Sequence, residues 1–366
     1  MKKRKNEIAI IIAARNEGLV LDNTLHSIKK IVRKEHIYLV NDNSSDNTTA
    51  LAEKEIPREN ILKNDIKTGK AGSLNRGIAH FHLPKKYKYI MPIDADTKVA
   101  KTMIKRSLRL FKTDKKHTIV AVVGRIKSEG NSYITYYRIW EYEIGHTILK
   151  NAQSFINAIS VCSGCATIYK SSVFSELTFP EDTVTEDMDL TFTIHRKKLG
   201  RIVYQDNALV YTQDPINLKI LTKQLNRWYS GFWQNIVKHK IPWGGQILDF
   251  EVALLALGGV ANSLFILGEV GLLILSIYNP FLLKFVFLQI ILDLLLLMIP
   301  TMVFTSVRNN SWKIFLYLPH LYFIRFYSGL IFLHSLVRII FGVDLLHWDR
   351  TQRYKYLDEN KIVFSE

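Results

Sequence analysis

The sequence predicts an α/β layered domain followed by C-terminal apolar helices suited to a membrane. Three observations carry this reading. Short apolar runs alternate with helical stretches over residues 1–240, polar residues follow each run, and long apolar blocks fill 250–342.

Runs 8–13, 36–41 and 88–93 are bounded by polar or Gly-containing segments, the pattern of buried parallel strands. Between them, 19–32 carries apolar residues at helical spacing, and Asp46 is placed to cap a helix running through Leu51 and Ala52. Ligands of such sheets bind at the carboxyl ends of the strands. Here those ends carry Ala14-Arg15-Asn16-Glu17, Asp42-Asn43-Ser44 and Asp94-Ala95-Asp96, so one site can collect all three.

Segment 134–155 interleaves Tyr136, Tyr137, Trp140 and Tyr142 with charged residues, as in a helix lying along a membrane interface or against the domain. Blocks 250–278, 281–307 and 314–342 each exceed the roughly 20 residues that a bilayer requires. Asn279-Pro280 makes the first two a hairpin, and Arg308 and Lys313 mark the following loop as cytoplasmic. The tail, 343–366, holds Arg350, Arg353, Lys355 and Lys361, which also prefer the cytoplasm, and three simple spans cannot satisfy both. The third block is therefore expected to be broken, re-entrant or interfacial, interrupted by Pro319, His320, Arg325, His334 and Arg338. Glu269 and Asp293, inside the first two blocks, are expected to face a cavity or a packed partner.

Charge follows the same division. Up to residue 249, 40 Lys and Arg oppose 25 Asp and Glu; beyond it, 9 oppose 8. A basic domain can meet nucleic acid, an anionic membrane or a phosphorylated substrate. The Lys and Arg are dispersed and match no recognition module, so nucleic acid is set aside. Two cysteines cannot form a disulfide framework, which fits a reducing cytosol. The apolar run 8–12 is too short for a signal peptide, so the N-terminus is expected to begin folding in the cytosol.

Five segments carry chemistry, and each has a bland alternative. Asp94-Ala95-Asp96 places two carboxylates at a strand end, where they can hold a divalent cation against a diphosphate or simply cap a turn. Residues 68–75 supply glycines for close backbone approach, Lys70 for phosphate charge and a helix beginning just after them, without Walker spacing. Glu186, Asp187 and Asp189 form an acidic cluster that also suits an ordinary helix N-terminus. Gln224, Arg227 and Trp228 share one helical face, as they would in any amphipathic helix with an interfacial Trp. Cys162-Ser163-Gly164-Cys165 lacks the second Cys or His pair that a zinc site needs.

In their order along residues 7–240, these segments resemble the processive, membrane-bound family 2 glycosyltransferases, relatives of cellulose, chitin, hyaluronan, poly-N-acetylglucosamine and mannan synthases. The resemblance rests on 13–17 (AARNE), Asp42, 69–75 (GKAGSLN), 94–96 (DAD), 163–165 (SGC), 185–190 (TEDMDL) and 224–228 (QLNRW). It implies a GT-A (Rossmann-like, nucleotide-sugar-binding) catalytic domain, interfacial helices and C-terminal transmembrane helices. By that likeness Ala14, Glu17 and Asp42 contact uridine, Lys70 the donor diphosphate, Asp94 the nucleotide and Asp96 a Mg2+ or Mn2+ ion. Asp187 is the base of an inverting displacement, Arg227 helps clamp the departing UDP, and Ser163, Gly164, Gln224 and Trp228 meet the acceptor.

The implied reaction moves sugar from a UDP-sugar, UDP-glucose or UDP-N-acetylglucosamine first, onto a growing β-linked polysaccharide. The catalytic domain faces the cytoplasm from a lipid bilayer, the plasma membrane, and a second copy or partner subunit stays open. Larger synthases of this kind usually carry membrane segments ahead of the catalytic domain, and none precedes it in this sequence. One-sugar transfer to a membrane lipid, as in ceramide glucosyltransferase, is the second reading. A non-catalytic membrane scaffold is the third, although no motif acid is missing.

Overall fold

The computed structural model describes residues 6–343, 354–358 and 361–364. Arg350 and Arg353, on which the parity argument depends, lie outside the described residues.

The predicted runs are strands: β1 (Asn6–Ala14), β2 (Ile37–Asn41) and, after β3 (Ile61–Lys63), β4 (Tyr87–Asp94). Further along come β5 (Lys98–Val99), β6 (Ile119–Glu129), β7 (Thr167–Lys170) and β8 (Arg201–Gln213). Among the described residues they form one eight-stranded sheet in the order β3-β2-β1-β4-β7-β6-β8-β5. β3, β2, β1 and β4 are mutually parallel, whereas β7 runs antiparallel to both its neighbours, making the sheet mixed. A separate antiparallel hairpin joins β9 (Tyr354–Asp358) to β10 (Lys361–Phe364).

Both faces of the sheet are covered, so β1 and β2 need apolar side chains on both sides rather than alternation. Ile10 and Ile12 enter one core with Leu21, Leu25 and Leu39, while Ile11 enters the other with Val40, Leu74 and Ile78. All three isoleucines are fully buried, and each such burial contributes about 2 kcal/mol. Helix Leu21–Lys29 forms inside the predicted stretch. Asp46 acts near the start of helix Thr48–Glu55, where its Oδ1 accepts the Thr48 N–H at 3.0 Å.

Three helical stretches, 247–275, 280–309 and 313–340, are long and apolar enough to cross a membrane. Much of their apolar surface faces outward; Leu257, Leu264, Leu296 and Ile340 are all more than half exposed. The third block is a short 3-10 helix, Lys313–Tyr317, that runs directly into an α-helix, and the helix is unbroken beyond that junction. Leu318–Ile340 is one continuous α-helix with Pro319 in its first turn, where the missing N–H removes no helical hydrogen bond. Arg325 does not break it either, because its charge is met inside the bundle. Its Nη1 donates to both carboxylate oxygens of Asp293 at 2.7 and 2.8 Å, and Nη2 donates to Asn262 Oδ1 at 2.8 Å. Asp293 thus faces a packed partner, as expected of a carboxylate in an apolar block.

The aromatic stretch is helical from Tyr133 to Phe155, with a π-helical section at Glu143–Lys150. It is wedged between the sheet domain and the apolar helices. Tyr136, Tyr137 and Trp140 share a core with Leu221, Leu225, Met302, Leu321 and Ile324, and Trp140 Nε1 donates to Thr301 Oγ1 at 2.9 Å.

Candidate active site

The parallel register brings the strand ends together: Ala14 lies opposite Asn41, and Ala13 opposite Asp94. The residues that follow these ends line a cavity of about 1370 Å³. All twelve residues that the resemblance assigns to the site lie on its wall: Ala14, Glu17, Asp42, Lys70, Asp94, Asp96, Ser163, Gly164, Asp187, Gln224, Arg227 and Trp228.

One wall is built from strand ends and a helix N-terminus. Helix Gly69–His80 starts inside the glycine-rich motif rather than after it. Gly69 has φ +77°, a left-handed conformation that favours glycine, and this turn aims the first N–H groups at Asp42. The Asp42 carboxylate accepts from Thr68 N–H at 2.7 Å, Gly69 N–H at 2.9 Å and Asn64 Nδ2 at 3.1 Å. Burial alone would raise its pKa, but these donors hold it below the usual carboxylate value. Asp42 therefore fixes the helix start with the same carboxylate assigned to uridine. Lys70 Nζ lies 2.6 Å from Asp94 Oδ1 and 2.9 Å from Glu186 Oε1. Burial opposes its charge, but Asp94, Glu186 and Asp187 outweigh that and raise its pKa, so the ammonium persists.

The other wall comes from segments far apart in sequence. Helix Glu186–Arg196 divides its three N-terminal acids. Glu186 and Asp187 line the cavity, whereas Asp189 points away to Lys238 Nζ and His239 Nε2, each at 2.8 Å. Asp187 Oδ2 accepts the Gly164 N–H at 3.0 Å, and Oδ1 accepts its neighbour Met188 N–H at 2.9 Å. A Cβ on Gly164 would meet Lys70 Nζ at 2.7 Å, so a side chain there would have to displace the Lys70 ammonium. Burial raises the Asp187 pKa, as does Glu186, and the opposing Lys70, Gly164 N–H and Arg227 do not cancel this. A carboxylate with a raised pKa is a better proton acceptor.

Gln224, Arg227 and Trp228 project from helix Leu218–Lys238. Reading the sequence missed what holds them. Arg138, fully buried, donates to Gln224 Oε1 and Glu141 and lies 4.7 Å above the Trp228 ring. The sequence reading also missed His146 and Lys150, on the cavity wall from the π-helical section, and assigned Glu186 no role. No motif marks His146 or Lys150; their π-helical placement appears only in three dimensions.

Asp94 and Asp96 provide two carboxylates at one strand end. No cluster of three or more His, Cys, Asp or Glu side chains poised for a metal occurs among the described residues. Two acids fit a hard divalent cation whose remaining ligands are substrate phosphate and water, rather than a metal enclosed by protein.

The family described as "Glycosyltransferase like family 2" matches residues 5–231. The poly-beta-1,6-N-acetyl-D-glucosamine synthase of Staphylococcus aureus (strain COL) is 30% identical over 228 residues, which cover 61% of this chain and 54% of that protein. The synthase of the same name from Staphylococcus epidermidis is 29% identical over 257 residues, 67% of this chain and 60% of that protein. The match thus spans little more than half the length of these curated relatives. Among solved structures, a mannosyltransferase from Pyrobaculum calidifontis in complex with GDP-Man and Mn2+ superposes with a TM-score of 0.60. It is 16% identical, with 94% of this chain and 89% of that chain covered, and it shows the fold, a GT-A-like mixed α/β domain with C-terminal helices.

Proposed function

We propose a specific reaction for this chain, which belongs to the glycosyltransferase like family 2 and is a glycosyltransferase. It transfers a sugar from a UDP-sugar, UDP-N-acetylglucosamine first, to the end of a β-linked polysaccharide at a membrane, inverting the anomeric centre. The observation that carries this reading is the placement of Asp187, aligned by Gly164 N–H within one cavity that also holds Lys70, Asp94 and Arg227.

Asp187 accepts the proton of the acceptor hydroxyl as that oxygen attacks the anomeric carbon. Charge then develops on the departing UDP, and Lys70 and Arg227 stabilise it from fixed positions. A divalent cation, Mg2+ or Mn2+, held by Asp96 with Asp94, adds positive charge against the diphosphate when bound. Ala14, Glu17 and the strand end at Asp42 shape the nucleotide pocket, and Trp228 offers an aromatic face to the acceptor sugar while Arg138 covers the other. Ser163, Gly164 and Gln224 supply polar contacts on the acceptor side. The three apolar helices anchor the chain in the bilayer, with the catalytic domain on the cytoplasmic side.

Leu255 and Phe332, on two of the apolar helices, line the same cavity, which supports a second reading in which a membrane lipid carries the acceptor. Detergent-purified protein incubated with UDP-N-acetylglucosamine separates the two. A high-mass ladder accompanying UDP release supports the polysaccharide, a single lipid-sized product replaces it with the lipid acceptor, and no UDP release from any UDP-sugar sinks both.

A further inference from the structure

Residues 161–165 form a strap between two helices, held from both sides. On one side it is tied to helix Glu186–Arg196: Cys162 N–H donates to Thr191 Oγ1 at 2.8 Å, Thr191 Oγ1 donates to the Asp187 carbonyl at 2.6 Å, and Gly164 N–H reaches the Asp187 carboxylate. On the other side stands Lys150, whose Nζ donates to Val161 O and Ser163 Oγ, both at 2.9 Å. Lys150 is 6% exposed and lines the cavity. Among the described residues, no carboxylate lies within ion-pairing distance of it. A buried ammonium whose hydrogen-bond partners are all neutral is costly. It places a positive charge one residue behind the N–H that aligns the base.

The geometry points to Lys150 as a positioning residue that sets the protonation and orientation of Asp187 through the 161–164 strap. This rests on the reading of Asp187 as the base. Cys162 and Cys165 on the strap, Asp187 on its helix and His146 on the same helical stretch are the titratable groups facing Lys150. Burial lowers its pKa to about 8 despite the opposing pull of Cys162, Asp187 and Cys165, and the buried His146 imidazole stays neutral. Below about pH 8 the Lys150 charge favours the Asp187 carboxylate; above it that help fades.

The test measures UDP release from UDP-N-acetylglucosamine across pH for full-length wild type, Lys150→Met, Lys150→Arg, Ser163→Ala and Asp187→Asn. In Lys150→Met the acid limb of kcat/KM moves up by about half to one pH unit, with kcat falling more than donor KM rises. Lys150→Arg keeps the wild-type acid limb and extends activity above pH 8, and Ser163→Ala shifts the limb in the same direction as Lys150→Met by less. An acid limb unmoved in both Lys150→Met and Ser163→Ala overturns the proposal, whatever happens to overall rate, since a merely structural role lowers rate without moving the limb. Should Lys150→Met not fold, Ser163→Ala and Lys150→Arg still decide. Transfer persisting in Asp187→Asn removes the base reading beneath it, whereas an inactive Asp187→Asn with unmoved limbs overturns the Lys150 role alone.

Discussion

The two walls of the cavity differ in how they are built. The strand-end wall, with Asp42, Lys70 and Asp94, rests on parallel register and one capped helix, and its charges are settled by close partners. The opposite wall, with Gly164, Asp187 and Trp228, is assembled from a strap, an acidic helix N-terminus and a long helix, and at its centre is a carboxylate whose pKa is raised. The first wall suits binding, where ligands meet fixed charges. The second suits proton transfer, where a group must gain and lose a proton. A glycosyltransferase needs both, and here they meet at Lys70, which touches Asp94 from one wall and Glu186 from the other.

The largest expected effect breaks one wall and leaves the other. Asp187→Asn keeps an acceptor for the Gly164 N–H but removes the proposed base, so UDP release with acceptor is expected to fall by about a thousandfold or more. Binding of UDP-N-acetylglucosamine, measured by calorimetry, stays within about threefold, because the strand-end wall is intact. Equal loss of binding and turnover would merge the two walls into one functional unit. Lys70→Met strikes where they meet and leaves Asp94 and Glu186 opposed without their shared cation. Turnover falls by about a hundredfold and donor affinity falls with it, a joint loss that separates this variant from Asp187→Asn. Chelation of divalent cations by EDTA should give a comparable loss, restored by added Mn2+ or Mg2+.

The contrast also explains what was legible in the sequence. β1, β2 and β4 were readable because burial on both faces forces continuous apolar runs, and the polar residues after them could only gather at the strand ends. Motif residues on the second wall were found individually, but the contacts made by Arg138, Lys150 and Glu186 were not. Their contacts span separations such as Arg138 to Gln224, which no local pattern encodes. Within the third apolar block, Pro319 and Arg325 look disruptive in one dimension. A first-turn position and the Asp293 carboxylate, 32 residues away, make both harmless.

Acidity offers a smaller and graded test of the same contrast. Burial and Glu186 hold the Asp187 pKa above the usual aspartate value, so protonation would remove the proposed base as pH falls, and kcat/KM should drop by about tenfold per unit below its pKa. Asp42 is held below that range, so the charge that orders the strand-end wall survives over the same interval. Donor affinity should stay flat while turnover falls, in parallel titrations carried downward from neutral pH. Parallel decline of both would show that the walls share one titrating group.

The smallest effect tests whether Asp42 organises its wall as a cap. In Asp42→Asn the side chain keeps one oxygen acceptor but turns an amide toward Thr68 or Gly69, both of which donate. One N–H at the helix start then loses its partner, costing about 1 kcal/mol. In a domain of this size that is a Tm lower by about 2 to 4 °C. The sign of its pH dependence follows from the depressed pKa: the Asp42 contribution is complete above the unfolded aspartate value and is lost as pH falls through the lower folded value. The Tm gap between wild type and variant should therefore be constant from pH 6 to pH 8 and narrow only under strong acid. A gap that varied near neutrality would mean that Asp42 is coupled to the titrating wall after all, and the division between a fixed binding wall and a switching catalytic wall would fail at its best-ordered residue.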